Sequence, residues 1–376
     1  MSKTFIMSSR ILCTFILIVA LWLHPGRGND LASPPITPND EFYILGQVPE
    51  IPPDWTLKIE GEVEQFLSLS LEDLKQYPQS DLEATLECNF SGGALYLISS
   101  GVWSGVSLNT LLNQAKLKSS AKSIIFRAHD GYWIGPFSLD SVMLKTDIMV
   151  AYGMNGETLP EIHGWPARMV MPGYTGNQWV RWLDRIEISS TRTSEKLNPW
   201  PIHARIFEPE YQAIVNKCSY TIKGYVNAGE SKEIVGVEVS TDEGKTWESA
   251  ELLNYFVPNV WKHWRYQWRV ETPGRHTIFA RVIDKDGNVQ NENGLYGWWG
   301  YNVIATVSPE IDCVDQHRAD INKDGYVDFL DYSLLADQWL MSGAELSADI
   351  MPIERDEIVD IFDLILIADY WLAGLE

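Results

Sequence analysis

His163-Gly-Trp-Pro-Ala-Arg168-Met-Val-Met-Pro172-Gly173 runs, after five further residues, into Trp179-Val-Arg181-Trp182-Leu-Asp-Arg185-Ile186. Proline and glycine punctuate this stretch as turn residues do, and residues 169–171 and 185–189 read as short strands between the turns. Outward from it, residues 55–63 (WTLKIEGEV) alternate like a strand, and residues 124–128 (IIFRA) read as another. Residues 70–77 predict a short helix with Ser70 as its cap and Asp73 at its third position, and residues 106–117 predict a second helix. This mixture, from Glu41 to Ser189, predicts an α+β domain.

Beyond it the pattern changes. Short alternating runs (SYTIKGYV, IVGVEVS, YQWRVE, HTIFARVI, GYNVIATV) are separated by turn signals such as TPGR and DKDGN, with no helical period between them. That spacing predicts an Ig-like β-sandwich, assigned to residues 200–308 after a first domain of residues 41–199.

Residues 312–376 hold a tandem repeat. FLDYSLLADQWL (329–340) and IFDLILIADYWL (361–372) superpose at a spacing of 32, and two units this small must pack on one another. Ahead of the first unit, Asp320, Asn322, Asp324, Asp328 and Asp331 occupy positions 1, 3, 5, 9 and 12 of an EF-hand-type loop. Gly325 stands at the sharp turn and the Tyr326 carbonyl at position 7, an oxygen set suited to Ca2+. Val327 is placed to pair with its counterpart in the second loop. That second loop has Pro352 at position 1 and Glu357 where glycine belongs, so weak or no binding is expected; Asp349 serves as first ligand only with about three inserted residues.

Charge agrees with this division. The 376 residues carry 29 Lys+Arg against 51 Asp+Glu, a formal charge of −22, and 16 of the acids lie in residues 312–376 against 3 bases. Such a balance argues against nucleic acid and anionic membrane surfaces as partners. Residues 1–28 read as a signal peptide: Lys3 and Arg10 precede a 13-residue apolar run, ILCTFILIVALWL, too short for a span of about 20 residues. Residues 29–40 then form a polar linker, and the mature chain is expected to be exported, with no stable membrane span. Cys88, Cys218 and Cys313 remain after the signal; Cys218 and Cys313 flank the sandwich and could pair.

Two family resemblances follow from these motifs. Thr85-Leu-Glu-Cys88-Asn, Gly101-Val-Trp103-Ser-Gly105-Val-Ser-Leu108 and the 163–186 stretch resemble the sulfite oxidase family of molybdopterin oxidoreductases. The sandwich, with VEVSTDEGKTW at 237–247, resembles that family's molybdenum-cofactor dimerisation domain. The resemblance implies a Mo-molybdopterin enzyme in which the Cys88 thiolate ligates molybdenum. Asp130, His163, Arg168, Trp179, Val180 and Arg181 would hold the cofactor; a thiolate is a soft ligand suited to this metal. It further implies oxo transfer on a small sulfur-oxo substrate, electron exchange with an external acceptor or donor, and a homodimer. Leu45 stands where the family has a substrate-binding arginine, and the family's active-site tyrosine has no evident match after Arg181, which favours a less charged substrate such as a sulfoxide. The C-terminal repeat resembles a type I dockerin module, implying Ca2+ and a cohesin-type receptor. The alternative function is a catalytically silent, calcium-dependent assembly component that keeps the molybdopterin fold.

Overall fold

The computed structural model describes residues 36–88, 97–210, 213–215, 219–229, 232–253, 257–270, 274–290, 305–311, 316–324, 326–343, 346–351 and 356–371. The signal-peptide expectation, the proposed Cys218–Cys313 pair, Gly325 and Pro352 lie outside these residues.

In chain order the first domain comprises β1 (Leu57–Gly61), β2 (Leu67–Leu69), α1 (Leu71–Leu74), β3 (Ser80–Glu87), β4 (Ile98–Ser107) and α2 (Leu108–Ala115). There follow β5 (Ser123–Ala128), β6 (Trp133–Ser138), α3 (Leu139–Met143), β7 (Met149–Met154), β8 (Glu157–Thr158), β9 (Arg168–Val170) and β10 (Leu183–Ser189). One sheet has the order β2-β1-β10-β5-β6, in which β1 and β10 are parallel. The other runs β3-β4-β7-β8, with β9 also paired to β7. Helices are few and short, so the α+β expectation holds with the balance shifted well towards strand. Leu57, Ile59 and Ile186 of one sheet, Ala84, Trp103 and Val150 of the other, and Leu111 of α2 share a single buried core.

Helix α1 forms the capping box its sequence predicts: Ser70 Oγ accepts from Asp73 N, and the Asp73 carboxylate accepts from Ser70 N. The second predicted helix is shorter than expected. Val106 and Ser107 belong to β4, where they pair with Val150 and Met149, so sheet pairing overrides the helical reading of these two residues.

The second domain contains β11 (His203–Glu208), β12 (Ile214–Val215), β13 (Ser219–Asn227), β14 (Ile234–Ser240), β15 (Glu248–Ser249) and β16 (Glu251–Leu252). It continues with β17 (Lys262–Arg269), β18 (Gly274–Arg275), β19 (Ile278–Asp284), β20 (Ala305–Val307) and β21 (Glu310–Ile311). The four-stranded sheets β11-β13-β17-β16 and β15-β14-β19-β20 enclose one core centred on Trp264, Trp268, Ile222, Val237 and Val282. Strands β12-β21-β18 make a small third sheet.

After α4 (Gln316–Ala319), the tandem units form α5 (Phe329–Asp337) and α6 (Ile361–Asp369), equivalent at the predicted spacing. Val327, Leu335, Val359, Leu366 and Ile367 give them a common core. Val359 does not exchange backbone bonds with Val327 as expected; it bonds Leu340 and Met341, because the chain turns back at residues 340–343. Among the described residues no helix is long and apolar enough to cross a membrane.

His263 of β17 lies buried against Trp261 and Phe207, and neither ring nitrogen has a hydrogen-bond partner among the described residues. Burial lowers its pKa to about 4. Folding therefore favours the neutral ring, and this contribution is complete above the ordinary imidazole value and lost as pH falls from about 6.5 towards 4. His263→Phe is expected to remove up to about 3 kcal/mol of the acid-side stability loss in that window, read from unfolding midpoints between pH 7 and 4.

Candidate functional site

Strand alternation sets the first element of the site. Along β3, Ala84 and Leu86 turn into the first-domain core while Thr85 and Glu87 turn to the opposite face. Cys88 follows on the Leu86 side. Its N–H donates to the Leu97 carbonyl at 2.9 Å, and its thiol, 8% exposed, faces a pocket of about 290 Å3.

The opposite wall comes from residues 163–182. The 3-10 turn Glu161–His163 ends at Gly164 with φ +114°, a conformation that suits glycine. It brings His163 and Arg168 to the same cavity. The His163 Nε2–H donates to the Asn39 carbonyl at 2.8 Å, and burial holds the ring below its ordinary pKa, so the neutral ring keeps Nδ1 as an acceptor. Arg168 is 2% exposed. Its guanidinium donates to the carbonyls of His163 (2.9 Å), Trp179 (3.3 Å) and Met169 (3.4 Å), and lies 4.8 Å from the Trp103 ring centroid. Burial and the neighbouring Arg181 lower its pKa to about 9, leaving it charged at neutral pH.

Arg181 stacks 4.2 Å above Trp182 and donates to the carbonyls of Ile162 (3.0 Å) and Leu45. Trp182 has φ 49°, an uncommon backbone for a bulky residue; its indole N–H donates to the Glu161 carbonyl at 2.8 Å. Burial lowers the Arg181 pKa, and Asp130 acts against that shift. The Asp130 carboxylate accepts from Tyr132 N at 2.9 Å, and the Tyr132 hydroxyl donates to the Asn177 carbonyl at 2.7 Å, which closes the rim. Gly176 packs against the cysteine strand: a methyl group there would lie 2.6 Å from the Glu87 carbonyl oxygen and 3.1 Å from Cys88 Cα.

All seven residues expected in the first site, Cys88, Asp130, His163, Arg168, Trp179, Val180 and Arg181, line this one pocket. Leu45 lines it too, where the resemblance has an arginine. Tyr43, Tyr132 and Asn177 were not expected and also line it. Burial, and then the neighbouring Cys88, push the Tyr43 phenol well above its usual range, so it is a proton donor throughout the physiological range. The only sequence signal for Tyr43 was its place two residues before Leu45.

The calcium-loop residues do come together, around backbone rather than as a metal group. Asp331 is fully buried; its Oδ1 accepts from Asn322 N at 3.1 Å and its Oδ2 from Asp328 N at 2.9 Å. Asp328 caps α5 through Leu330 N, Asp320 and Asn322 accept from Asp324 N, and Asp324 accepts from Tyr326 N. Among the described residues no three His, Cys, Asp or Glu side chains converge as a metal site. In the second unit Asp363 accepts from Ile350 N and Met351 N, and Asp349 accepts from Glu357 N. Asp349 therefore takes the place of Asp320, with three additional residues before the helix.

Residues 45–197 match the family model described as an oxidoreductase molybdopterin binding domain, and residues 194–306 match the Mo-co oxidoreductase dimerisation domain. Over both domains the chain is similar to molybdopterin oxidoreductases. Mitochondrial sulfite oxidase of Mus musculus is 29% identical over 322 residues, 70% of this chain and 58% of that protein. Nitrate reductase [NADH] 1 of Phaseolus vulgaris is 27% identical over 342 residues, 70% of this chain and 38% of its own. The chain thus spans less than two thirds of either relative; both are oxidoreductases. The crystal structure of the sulfane dehydrogenase SoxCD from Paracoccus pantotrophus matches with a TM-score of 0.57 at 28% identity, covering 65% of this chain and 70% of that one.

The pocket of the molybdopterin domain fits such a cofactor by its donor set. It offers one thiol, a neutral histidine acceptor and two guanidinium groups. Beside Arg168 stands a second cation, Arg181, which with burial opposes its charge. Buried cations of this kind stabilise a bound anion. Inorganic pyrophosphate is expected to raise the unfolding midpoint of the cofactor-free protein, by about 2.7 kcal/mol at a hundredfold excess over its dissociation constant. Arg168→Gln and Arg181→Gln should each remove most of that increment, as followed by differential scanning fluorimetry.

Proposed function

We propose that this chain is an exported molybdopterin-dependent oxidoreductase that transfers an oxygen atom to or from a sulfur oxyanion or sulfoxide and works as a homodimer. The observation that carries this reading is the convergence of the Cys88 thiol with Arg168, Arg181 and His163 on one pocket. Bound molybdopterin would supply a two-electron, oxygen-atom-transferring metal centre. Cys88 would give that metal its protein sulfur, as the cysteine among the pocket's lining residues. Arg168 and Arg181 would offset the negative charge of the cofactor, and His163 would offer it a hydrogen-bond acceptor at Nδ1. Tyr43 keeps its proton and donates it as a hydrogen bond towards oxygen in the pocket.

The rim favours substrates carrying an apolar group. Leu45 and Tyr132 line the pocket and are partly exposed to solvent, and Arg181 is tied to the Leu45 carbonyl. In the oxidative direction water supplies the oxygen atom and an external acceptor takes two electrons. In the reductive direction a donor supplies two electrons and the oxygen leaves as water. Sulfite oxidase and sulfane dehydrogenase among the relatives are consistent with sulfur as the reacting element.

The C-terminal units support a second component of the same proposal, a calcium-stabilised dockerin-like module that tethers the enzyme to a cohesin-type receptor. Its support is the ligand spacing from Asp320 to Asp331 and the paired exposed apolar side chains Leu330/Phe362 and Trp339/Trp371 on equivalent positions of the repeat. Elemental analysis of protein purified from its native compartment tests both components. The expectation is about one Mo per chain, with bound Ca2+. Cys88→Ser should lose Mo and keep Ca2+, whereas Asp324→Ala should lose Ca2+ and keep Mo. Retention of Mo by Cys88→Ser contradicts the ligand assignment, and absence of Mo from the native protein favours the silent assembly component.

A further inference from the structure

The face of β3 opposite the pocket is bonded to the dimerisation domain. Thr85 N donates to the Asn259 carbonyl at 3.0 Å, and Thr85 Oγ1 accepts from Trp261 N at 3.0 Å. Two residues on, the Glu87 carboxylate is fully buried. His203 Nε2 of β11 lies 2.9 and 3.1 Å from its two oxygens, Asn227 Nδ2 of β13 donates at 2.8 Å, and the Tyr225 hydroxyl donates at 3.3 Å. Each of these partners belongs to the second domain.

Glu87 and Cys88 are adjacent in an extended strand end and point to opposite faces. A shift of one therefore displaces the other. Gly176 packs against Glu87 and Cys88 on the turn side so closely that a side chain there has no room, and the bond from Cys88 N to the Leu97 carbonyl ties the strand end on its edge. The Glu87 bonds hold the remaining direction.

We propose that Glu87 is a positioning residue through which the dimerisation domain fixes the Cys88 thiol in the molybdopterin pocket. The inference rests on the reading of Cys88 as the cofactor's protein ligand, but its test does not use the cofactor. In cofactor-free full-length protein, the rate of Cys88 alkylation by iodoacetamide is measured by mass spectrometry of the Cys88 peptide. Glu87→Ala and His203→Ala should each accelerate it about tenfold or more, because the strand end then opens locally. Val237→Ala, which weakens the sandwich core without touching β3, should leave the rate within about twofold of the parent.

An unchanged rate in Glu87→Ala overturns the proposal, and so does an equal acceleration by Val237→Ala, which would mean general loosening. If Glu87→Ala fails to fold, Asn227→Ala removes one donor and keeps the His203 pair. It should still accelerate alkylation several-fold, and an unchanged rate there overturns the proposal equally. Failure of the ligand assignment itself shows as Mo retention in Cys88→Ser, which alkylation does not report.

Discussion

Arg168 is a cation buried among carbonyl oxygens and indole rings, and the site is arranged around satisfying it. A guanidinium cannot be withdrawn from water unless its donors find acceptors. Here those acceptors are the carbonyls of His163, Met169 and Trp179, supplied by a turn that depends on Gly164, by β9 and by the 3-10 turn that ends at Trp179, while Trp103 reaches over from β4 of the same sheet. The same turn carries His163, and the chain that returns to cover Arg168 carries Arg181. Two like charges facing one cavity with a thiol make a strong demand for an anionic, sulfur-compatible ligand, and the molybdopterin-domain match agrees with that demand.

The second domain is part of this arrangement. It matches a dimerisation-domain model, and its His203, Tyr225 and Asn227 converge on the strand that delivers the cysteine. A buried ion pair of this sort contributes little net stability compared with an apolar contact, but breaking one partner is costly, so it specifies position more than it adds strength. The relation between pocket and sandwich is therefore mechanical as well as covalent.

Much of the first site was legible because its residues lie in two continuous stretches, 85–88 and 163–181, whose turn residues and cations carry a family pattern. Tyr43 and Tyr132 were not legible, because they reach the pocket from outside these stretches, and Asn177, though inside the second, carries no signal that distinguishes it from other turn amides. The Glu87–His203 pair spans 116 residues of sequence, and no periodicity connects its ends. The helix predicted from Val106 began two residues late because its first turn completes a strand whose partner, β7, lies 43 residues further on. In the tandem repeat the helices were readable at a spacing of 32, while the choice of Asp349 over Pro352 as the start of the second loop was decided by the bonds of Asp363 to Ile350 and Met351.

The account rests on Cys88 being a metal ligand rather than a buried apolar residue, and free cysteines of the second kind are common in protein cores. X-ray absorption at the molybdenum edge of the purified, loaded protein tests this most directly. The account predicts the sulfurs of the cofactor dithiolene plus one more in the parent protein, with the additional sulfur absent from any Cys88→Ser protein that retains metal. A parent spectrum showing the dithiolene sulfurs alone would contradict it.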